Sequence, residues 1–153
     1  MKKFIFIFVL VSTFLFTQNY ALHFDGTKVE IPSSPSLNSI DYNITISARI
    51  HPTSFSGAHK RILSRGDCAG GSRYIFVVNP QGKLEFGVGG GNTVISNSLL
   101  NMNEWSDVVV SMTNGNAKLY INGDYEGESN IGLLHYNASG PLFIGSECET
   151  SHY

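Results

Sequence analysis

The segment from Trp105 to Glu128 constrains the fold more than any other part of the chain. It reads WSDVVVSMTNGNAKLYINGDYEGE, with apolar-alternating runs separated by Asn-Gly pairs at 114–115 and 122–123. Asn-Gly favours a two-residue hairpin turn because both residues tolerate the positive φ that such a turn needs. The pattern predicts an antiparallel meander with Trp105 packed at its entrance. Its buried face would be formed by Val108, Val110, Leu119 and Ile121. A meander builds a sheet surface rather than a catalytic pocket, so it favours a binding function.

Residues 1–21 are predicted to be a signal peptide. Lys2 and Lys3 give a positive start, and Phe4 to Phe16 form an apolar run of about a dozen residues, the size of a signal-peptide core. Cleavage is expected between Thr17 and Ala21. A membrane-spanning helix needs about 20 apolar residues, so an uncleaved N-terminal anchor is the less favoured alternative. Nothing after Ala21 is long and apolar enough to cross a bilayer.

Residues 22–153 are predicted to form one domain, because about 130 residues can bury a real core and no linker divides them. The 10 basic residues of the whole chain fall to 8 without Lys2 and Lys3, against 12 acidic residues, which leaves a charge of about −4. No basic stripe or cluster appears. The composition therefore excludes nucleic acid as a partner class.

Export changes the meaning of the two cysteines, Cys68 and Cys148. In an oxidising compartment an even pair usually becomes a bridge, so a Cys68–Cys148 disulfide is expected. Two free thiols are the alternative. A zinc site is not indicated, since the chain has no Cys-x-x-Cys spacing.

The rest of the sequence reads as about eleven short strands, spaced roughly 8–12 residues apart and separated by turn residues. Residues 21–24 and 28–31 flank Asp25-Gly26 and are expected to form a hairpin. Residues 33–38 and 65–73 are expected to be loops, and Leu142 to Ile144 the last strand. The pattern predicts an all-β fold, a two-sheet antiparallel sandwich or jelly roll.

Three segments carry a family resemblance. ALHFDGTKVEIP is similar to a first hairpin, NITISARIHPTSFSGAHKRILSRGD to a strand, loop and Ile-Leu-Ser-x-Gly pattern, and NEWSDVVVSMTNGNAKLYINGDYEG to a Trp-x-x-Val … Leu-Tyr-x-Asn-Gly signature. Together they resemble a laminin-G-like jelly-roll domain of the concanavalin A-like lectin/glucanase superfamily. The resemblance implies an exported module that binds carbohydrate, protein or other cell-surface ligands, in some members with calcium.

One feature departs from this resemblance. Members usually close with a further strand after Phe-Ile-Gly, whereas Phe143-Ile144-Gly145 is followed here by eight residues. A missing closing C-terminal strand would leave backbone groups of the sheet unpaired. We therefore expect either a fragment of a longer chain or a sandwich with an open gap.

Asp124, Glu126 and Glu128 alternate along one predicted strand, so their side chains are expected on one face. Glucanases of the superfamily resemble this arrangement, since paired carboxyls roughly 5 Å apart suit retaining glycoside hydrolysis. Without a bulge, however, these carboxylates lie opposite Leu119 and Ile121, on the outer face. A solvated strand face is the favoured interpretation, with a glycan-cleaving site as the alternative.

The loops that carry the cysteines are the predicted ligand site. If bridged, they would bring polar and charged side chains together on a rigid scaffold, where binding residues tend to lie. The candidate ligand-binding residues are Arg65, Asp67, Arg73, Tyr74 and Glu147. A disulfide that only stabilises the loops is the alternative. Calcium could be held by Asp25, Asp67, Glu147 or Glu149, although no loop shows the spacing of a dedicated calcium site. No other cofactor is indicated.

Two short motifs carry less weight. Arg65-Gly66-Asp67 spells an integrin-type tripeptide, but matches this short are mostly chance. Asn43 and Asn137 fit the glycosylation pattern Asn-x-Ser/Thr.

Taken together, the sequence features predict a secreted or cell-surface, non-catalytic recognition module that binds carbohydrate or an extracellular protein. A glycan-cleaving enzyme and a structural spacer of a larger surface protein are the alternatives.

Overall fold

The computed structural model describes residues 20–40, 42–67, 71–88, 92–132 and 140–146. Predicted features outside these ranges are the signal-peptide core, both cysteines, the glycosylation candidate Asn137, Glu147 and Glu149. The elements, in chain order, are β1 (Val29–Ile31), α1 (Pro35–Asn38), β2 (Asn43–Ile50), β3 (Lys60–Asp67), β4 (Gly71–Val78), β5 (Lys83–Val88), β6 (Thr93–Leu99), β7 (Ser106–Thr113), β8 (Asn116–Ile121), β9 (Asp124–Asn130) and β10 (Leu142–Ile144).

The strands form two antiparallel sheets. One has six strands in the order β1-β10-β3-β4-β5-β6, and the other has four in the order β2-β7-β8-β9. Side chains alternate between a buried inner and a more exposed outer face, as in β7, and the core lies between the sheets. The predicted all-β sandwich of the jelly-roll type is confirmed. Within the described residues, no helix is long and apolar enough to span a membrane.

Aromatic side chains from the six-stranded sheet fill the centre of the core. The Phe76 and Phe86 rings meet edge to face at 6.2 Å, and Tyr74 lies 6.3 Å from Phe86. Such offset geometries add to the free energy that burial of the rings supplies. The opposing sheet contributes the four residues that the meander pattern predicted to be buried: Val108, Val110, Leu119 and Ile121.

The predicted meander is confirmed in β7, β8 and β9, with one exception. Trp105 precedes β7 and does not join the buried face, since 48% of its surface stays exposed. It lies in phase with the exposed Asp107, whereas the buried Ser106 and Val108 point the other way. The alternation that places the valines inside therefore places Trp105 outside.

Other local predictions were wrong. The segment around Asp25-Gly26 is not a hairpin, because β1 pairs with β10 at the other end of the chain. The predicted loop at 33–38 contains α1, which Ser34 caps by accepting a hydrogen bond from the Leu37 N–H at 3.3 Å. The predicted loop at 65–73 is largely strand, the ends of β3 and β4.

The turn at Asn122-Gly123 gives a test of the meander. Gly123 has φ +89°, and a Cβ added there would meet nothing within 4 Å. Gly123→Ala therefore probes backbone conformation alone, and we expect a loss of about 1 kcal/mol of unfolding free energy. Urea denaturation measures it, with Ser47→Ala on the exposed face of β2 as a control expected within about 0.5 kcal/mol of the parent. Equal stability of Gly123→Ala and the control would contradict the assigned turn.

Candidate functional site

Arg65 is a buried cation near the C-terminal end of β3, an inner strand of the six-stranded sheet. It pairs with Tyr74 across β3 and β4, and both side chains are almost fully buried. Its Nε donates to the Gly140 carbonyl at 3.5 Å, its Nη1 to the Leu37 carbonyl, and its Nη2 to Asn38 Oδ1. The planar guanidinium thus uses its fixed fork of donors to join α1, β3 and the segment before β10.

The predicted ligand residues do not form one described surface. Arg65 and Tyr74 are interior. Asp67 pairs with Gly71 at the tip of the β3–β4 hairpin, and Arg73 lies at a register shift in the same ladder. The structure brings these two backbones together but does not describe their side chains. Glu147 lies outside the described residues, so the ligand site, like the Cys68–Cys148 disulfide, stays a prediction.

The chain turns back after β10. Gly145 has φ +84°, and the following Ser146 carbonyl accepts a hydrogen bond from Ser64 Oγ at 3.1 Å. By continuation of the ladder, in which Leu142 pairs with Arg65, residue 146 would lie opposite Arg61. The bond to Ser64 instead shifts the chain toward the hairpin that carries Asp67.

Glu126 corrects the prediction for the acidic strand. The β8–β9 ladder carries a bulge, because Leu119 pairs with Gly127 whereas Tyr120 pairs with Tyr125. Glu126 is the extra residue, and Gly127 after it has φ +133°. The turn pairs buried Ile121 with Asp124 and Tyr120 with Tyr125, so Glu126, the next residue, faces inward and is only 6% exposed, and the bulge then places Glu128 opposite Lys118 on the outer face. The prediction that all three carboxylates share the outer face was wrong: Glu126 faces inward, Asp124 pairs with the buried Ile121, and only Glu128 pairs with an outer-face residue, Lys118.

The carboxylate of Glu126 has a structural partner. Its Oε2 accepts a hydrogen bond from the Ser98 N–H at 2.7 Å. Ser98 belongs to β6, the edge of the six-stranded sheet, and Glu126 to β9, the edge of the other. Glu126 therefore joins the two sheets along one side of the sandwich.

The other two acidic residues of β9 are exposed. Glu128 forms a surface ion pair with Lys118 at 3.4 Å, and Asp124 follows the turn at Asn122-Gly123. The bulge separates Glu128 from the inward Glu126, whereas Asp124 precedes the bulge and pairs with Ile121. This strand therefore does not present the three alternating carboxylates that suggested glycoside hydrolysis.

An aromatic and charged cluster on the outer face of the four-stranded sheet was missed by the sequence analysis. We call it the Trp105 cluster; it comprises Trp105, His51, Arg49 and Asp107. The His51 and Trp105 rings lie 5.2 Å apart at 53°, and the Arg49 guanidinium carbon lies 5.7 Å from the Trp105 ring. Arg49 also forms an ion pair with Asp107 at 3.8 Å. The signal that could have revealed it is the phase of Trp105 with Asp107.

The remaining alternatives weaken or stay open. Arg65 of the Arg65-Gly66-Asp67 tripeptide lies buried in β3, where a partner could not reach its side chain. In the part of the chain that the structure describes, no three His, Cys, Asp or Glu residues cluster as metal ligands. The side chains of Asp67, Glu147 and Glu149 lie outside that part, so calcium binding stays a prediction.

Comparison with known proteins places this fold. A family model described as the concanavalin A-like lectin/glucanases superfamily matches residues 24–152. This chain belongs to that superfamily. The laminin-G-like resemblance of its three sequence segments is confirmed by the same match and by the laminin domains among its structural neighbours. A search of curated protein sequences finds no match.

Three solved structures illustrate the likeness. Domains LG4-5 of the mouse laminin alpha1 chain superpose with a TM-score of 0.62 at 16% identity, over 82% of this chain and 33% of that one. The Ruminococcus gnavus sialidase module CBM40, bound to alpha2,3 sialyllactose, superposes with a TM-score of 0.60 at 14% identity, over 78% of this chain and 77% of that one. Domain 4 of an extracellular arabinanase from Geobacillus stearothermophilus, in complex with arabinotriose, superposes with a TM-score of 0.58 at 16% identity, over 77% of this chain and 57% of that one.

These matches establish the fold. Identities of 14–16% are too low to carry residue roles from one chain to another. The chain spans about a third of the laminin fragment and just over half of the arabinanase domain. The neighbours include laminin domains and two domains solved with a bound oligosaccharide, all built on this sandwich.

Proposed function

We propose that this protein is an exported, non-catalytic recognition module and that carbohydrate is its ligand. The observation that carries the proposal is the match of fold to two domains solved with a bound oligosaccharide, over 78% and 77% of this chain. Folds host many functions, so the ligand must be argued from the site and tested directly.

Export rests on the predicted signal peptide at residues 1–21. Secretion or display at the cell surface would give the oxidising conditions that the proposed Cys68–Cys148 disulfide needs. The hydrogen bond from Ser64 to the Ser146 carbonyl is compatible with that bridge, because it holds residue 146 against β3, the strand that ends at Asp67.

The proposed loop site lies around this bridge, with Asp67, Arg73 and Glu147 as its polar groups. Arg65 and Tyr74, which complete the predicted set, pair across β3 and β4 and are buried, so their side chains would support the hairpin from the core side rather than reach solvent. Calcium remains part of the proposal, with Asp67 and Glu147 as its carboxylate ligands, since hard cations prefer carboxylate oxygens.

A glycan-cleaving enzyme is the weaker alternative. A retaining glycosidase needs two facing carboxyls with access to substrate. On β9, Glu126 is buried against the Ser98 amide and Glu128 pairs with Lys118 at the surface. Because both carboxylates make structural contacts, we favour recognition over hydrolysis.

Isothermal titration of the full chain tests the proposal. The probes are arabinotriose, cellotriose, maltotriose, lactose and sialyllactose, each titrated with and without calcium. We expect saturable binding of at least one of them, and tighter binding with calcium if the loop site holds the ion. Heat flow equal to the dilution blank for every probe would contradict carbohydrate recognition and favour the structural-spacer alternative.

A further inference from the structure

We infer that the Trp105 cluster is a contact surface for an uncharged sugar ring. The inference deepens the proposed function and rests on it, but it places a contact on the outer face of the four-stranded sheet instead of in the cysteine loops.

The cluster is a continuation of the β2–β7 ladder. Arg49 pairs with Asp107 in that ladder, and the next residues on the same face are His51 and Trp105. Two cross-strand pairs therefore stand side by side at the end of the sheet. Side chains at such positions are close enough to interact, as the ring and ion-pair distances show.

The groups of the cluster contact one another without a ligand, mainly through the rings, since the Arg49–Asp107 ion pair is exposed and contributes little by itself. The Arg49 guanidinium lies between the Asp107 carboxylate and the Trp105 ring, and the His51 ring supports the same indole. A preorganised site loses less conformational entropy on binding. Nearly half of Trp105 nevertheless stays open to solvent, so one part of the indole is available for contact.

The chemistry of these groups matches that of a sugar. A pyranose or furanose ring presents C–H groups on its face and hydroxyl groups around its rim. The indole offers an apolar surface to the ring face, and Arg49, Asp107 and His51 offer donors and acceptors to the rim. Binding sites generally combine an aromatic surface with a few polar groups of this kind.

Paired charges on this face favour an uncharged ligand. Arg49 already pairs with Asp107, and Lys118 with Glu128 on the same outer face. An anionic ligand would compete with these carboxylates for their cations, and a cationic ligand would compete with the cations for their carboxylates. A neutral hydroxyl group can instead hydrogen-bond to both members of a pair.

The face could extend the contact beyond one ring. Val109 follows two residues after Asp107, about 7 Å along the strand, and it pairs with Tyr120. Tyr120 and Tyr125 meet edge to face at 5.9 Å, with Tyr125 mostly exposed. A second aromatic surface therefore lies on the same face, which suits an oligosaccharide chain better than a monosaccharide.

The presence of a single tryptophan in the chain gives a direct reporter. Tryptophan fluorescence of the intact protein is recorded while the neutral probes arabinotriose, cellotriose, maltotriose and lactose are titrated. We expect a probe that binds by calorimetry to shift or quench the emission with the same midpoint. Calorimetric binding without any change in tryptophan emission overturns the inference and leaves the proposed function standing.

Variants provide the second readout. Trp105→Ala should weaken binding of that probe by at least about tenfold, since aromatic anchors dominate binding energies. Trp105→Phe should retain binding within about threefold, because it keeps an apolar ring. Tyr42→Ala is the matched control, an equally exposed aromatic at the other end of β2, and should bind like the parent. Thermal melts show that each variant is folded.

The outcomes separate the two claims. Lost binding in Trp105→Ala, with Asp67→Ala and Arg73→Ala unaffected, supports the Trp105 cluster as the sugar contact. Lost binding only in the loop variants overturns the cluster and keeps the function. No binding of any probe by the parent overturns both. Preferential binding of sialyllactose overturns the uncharged-ligand inference, and capture of a protein partner by Trp105 without sugar binding also contradicts it.

Discussion

Arg65→Met is expected to lower the free energy of unfolding by about 3 kcal/mol, or roughly 10 °C in melting temperature. Methionine keeps the apolar stem of the side chain but removes every donor. The Leu37 and Gly140 carbonyls and the Asn38 amide oxygen then lose the partner that joins them. The loss should exceed that of an ordinary hydrogen bond, because three bonds to a charged donor are lost together and the buried Gly140 carbonyl is left without a donor.

Urea denaturation gives the size of this effect, and limited proteolysis gives its location. With Arg65 gone, α1 should detach first, so cleavage within residues 34–39 should accelerate before global unfolding. Lys118→Met is the matched control, since it removes a cation whose ion pair is at the surface, and it should cost no more than about 0.5 kcal/mol. Equal stabilities of the two variants would show that Arg65 does not hold α1, β3 and the segment before β10 together.

Glu126→Ala is expected to cost about 2 kcal/mol, because it leaves the Ser98 N–H without its acceptor between the two sheet edges. Glu126→Gln keeps an acceptor oxygen in the same place and should lose less than half as much. Hydrogen exchange at the Ser98 amide should rise in the alanine variant more than at neighbouring amides of β6.

Glu128→Ala is the matched control for this position, one strand residue beyond the bulge and exposed. It should change stability by no more than about 0.5 kcal/mol. An unchanged Ser98 exchange rate in Glu126→Ala would mean that the carboxylate does not hold this side of the sandwich.

The meander and the fold class were predictable from the sequence because their causes are local. Asn122-Gly123 determines the turn, and a period of two places Val108, Val110 and Leu119 inside. These signals act within a few residues, so no knowledge of the remaining chain is needed to interpret them.

Long-range pairing explains some of the errors. Nothing near Asp25-Gly26 indicates that β1 pairs with β10, more than a hundred residues away. Burial of Arg65 likewise depends on Leu37 and Gly140, neither of which is close to it in sequence. The segment 65–73 was a different kind of error: Gly66 pairs with Ser72 and Asp67 with Gly71 within the segment itself, but glycine and aspartate are depleted in strands, so its composition predicted a loop.

The register of β9, set by its turn and its bulge, was the decisive unknown at the acidic strand. The turn that pairs Ile121 with Asp124 places Glu126 inward, and the extra residue at the bulge places Glu128 on the opposite face, so sequence alternation carried across the turn assigns the wrong face. Gly127, directly after Glu126, was the available indication, since glycine inside a strand often marks a bulge. The Trp105 cluster was missed for a related reason: an aromatic residue was assumed to be buried although its phase places it outside.

The most direct test of the central claim, recognition of sugar without turnover, is the fate of the sugar itself. The full chain is incubated with the oligosaccharide that it binds best, and the sugar is recovered and analysed by mass spectrometry and reducing-end assay. The account predicts that it is recovered intact, with equal binding by the parent and by Glu126→Gln. Shortened products formed by the parent and lost in Glu126→Gln would contradict it.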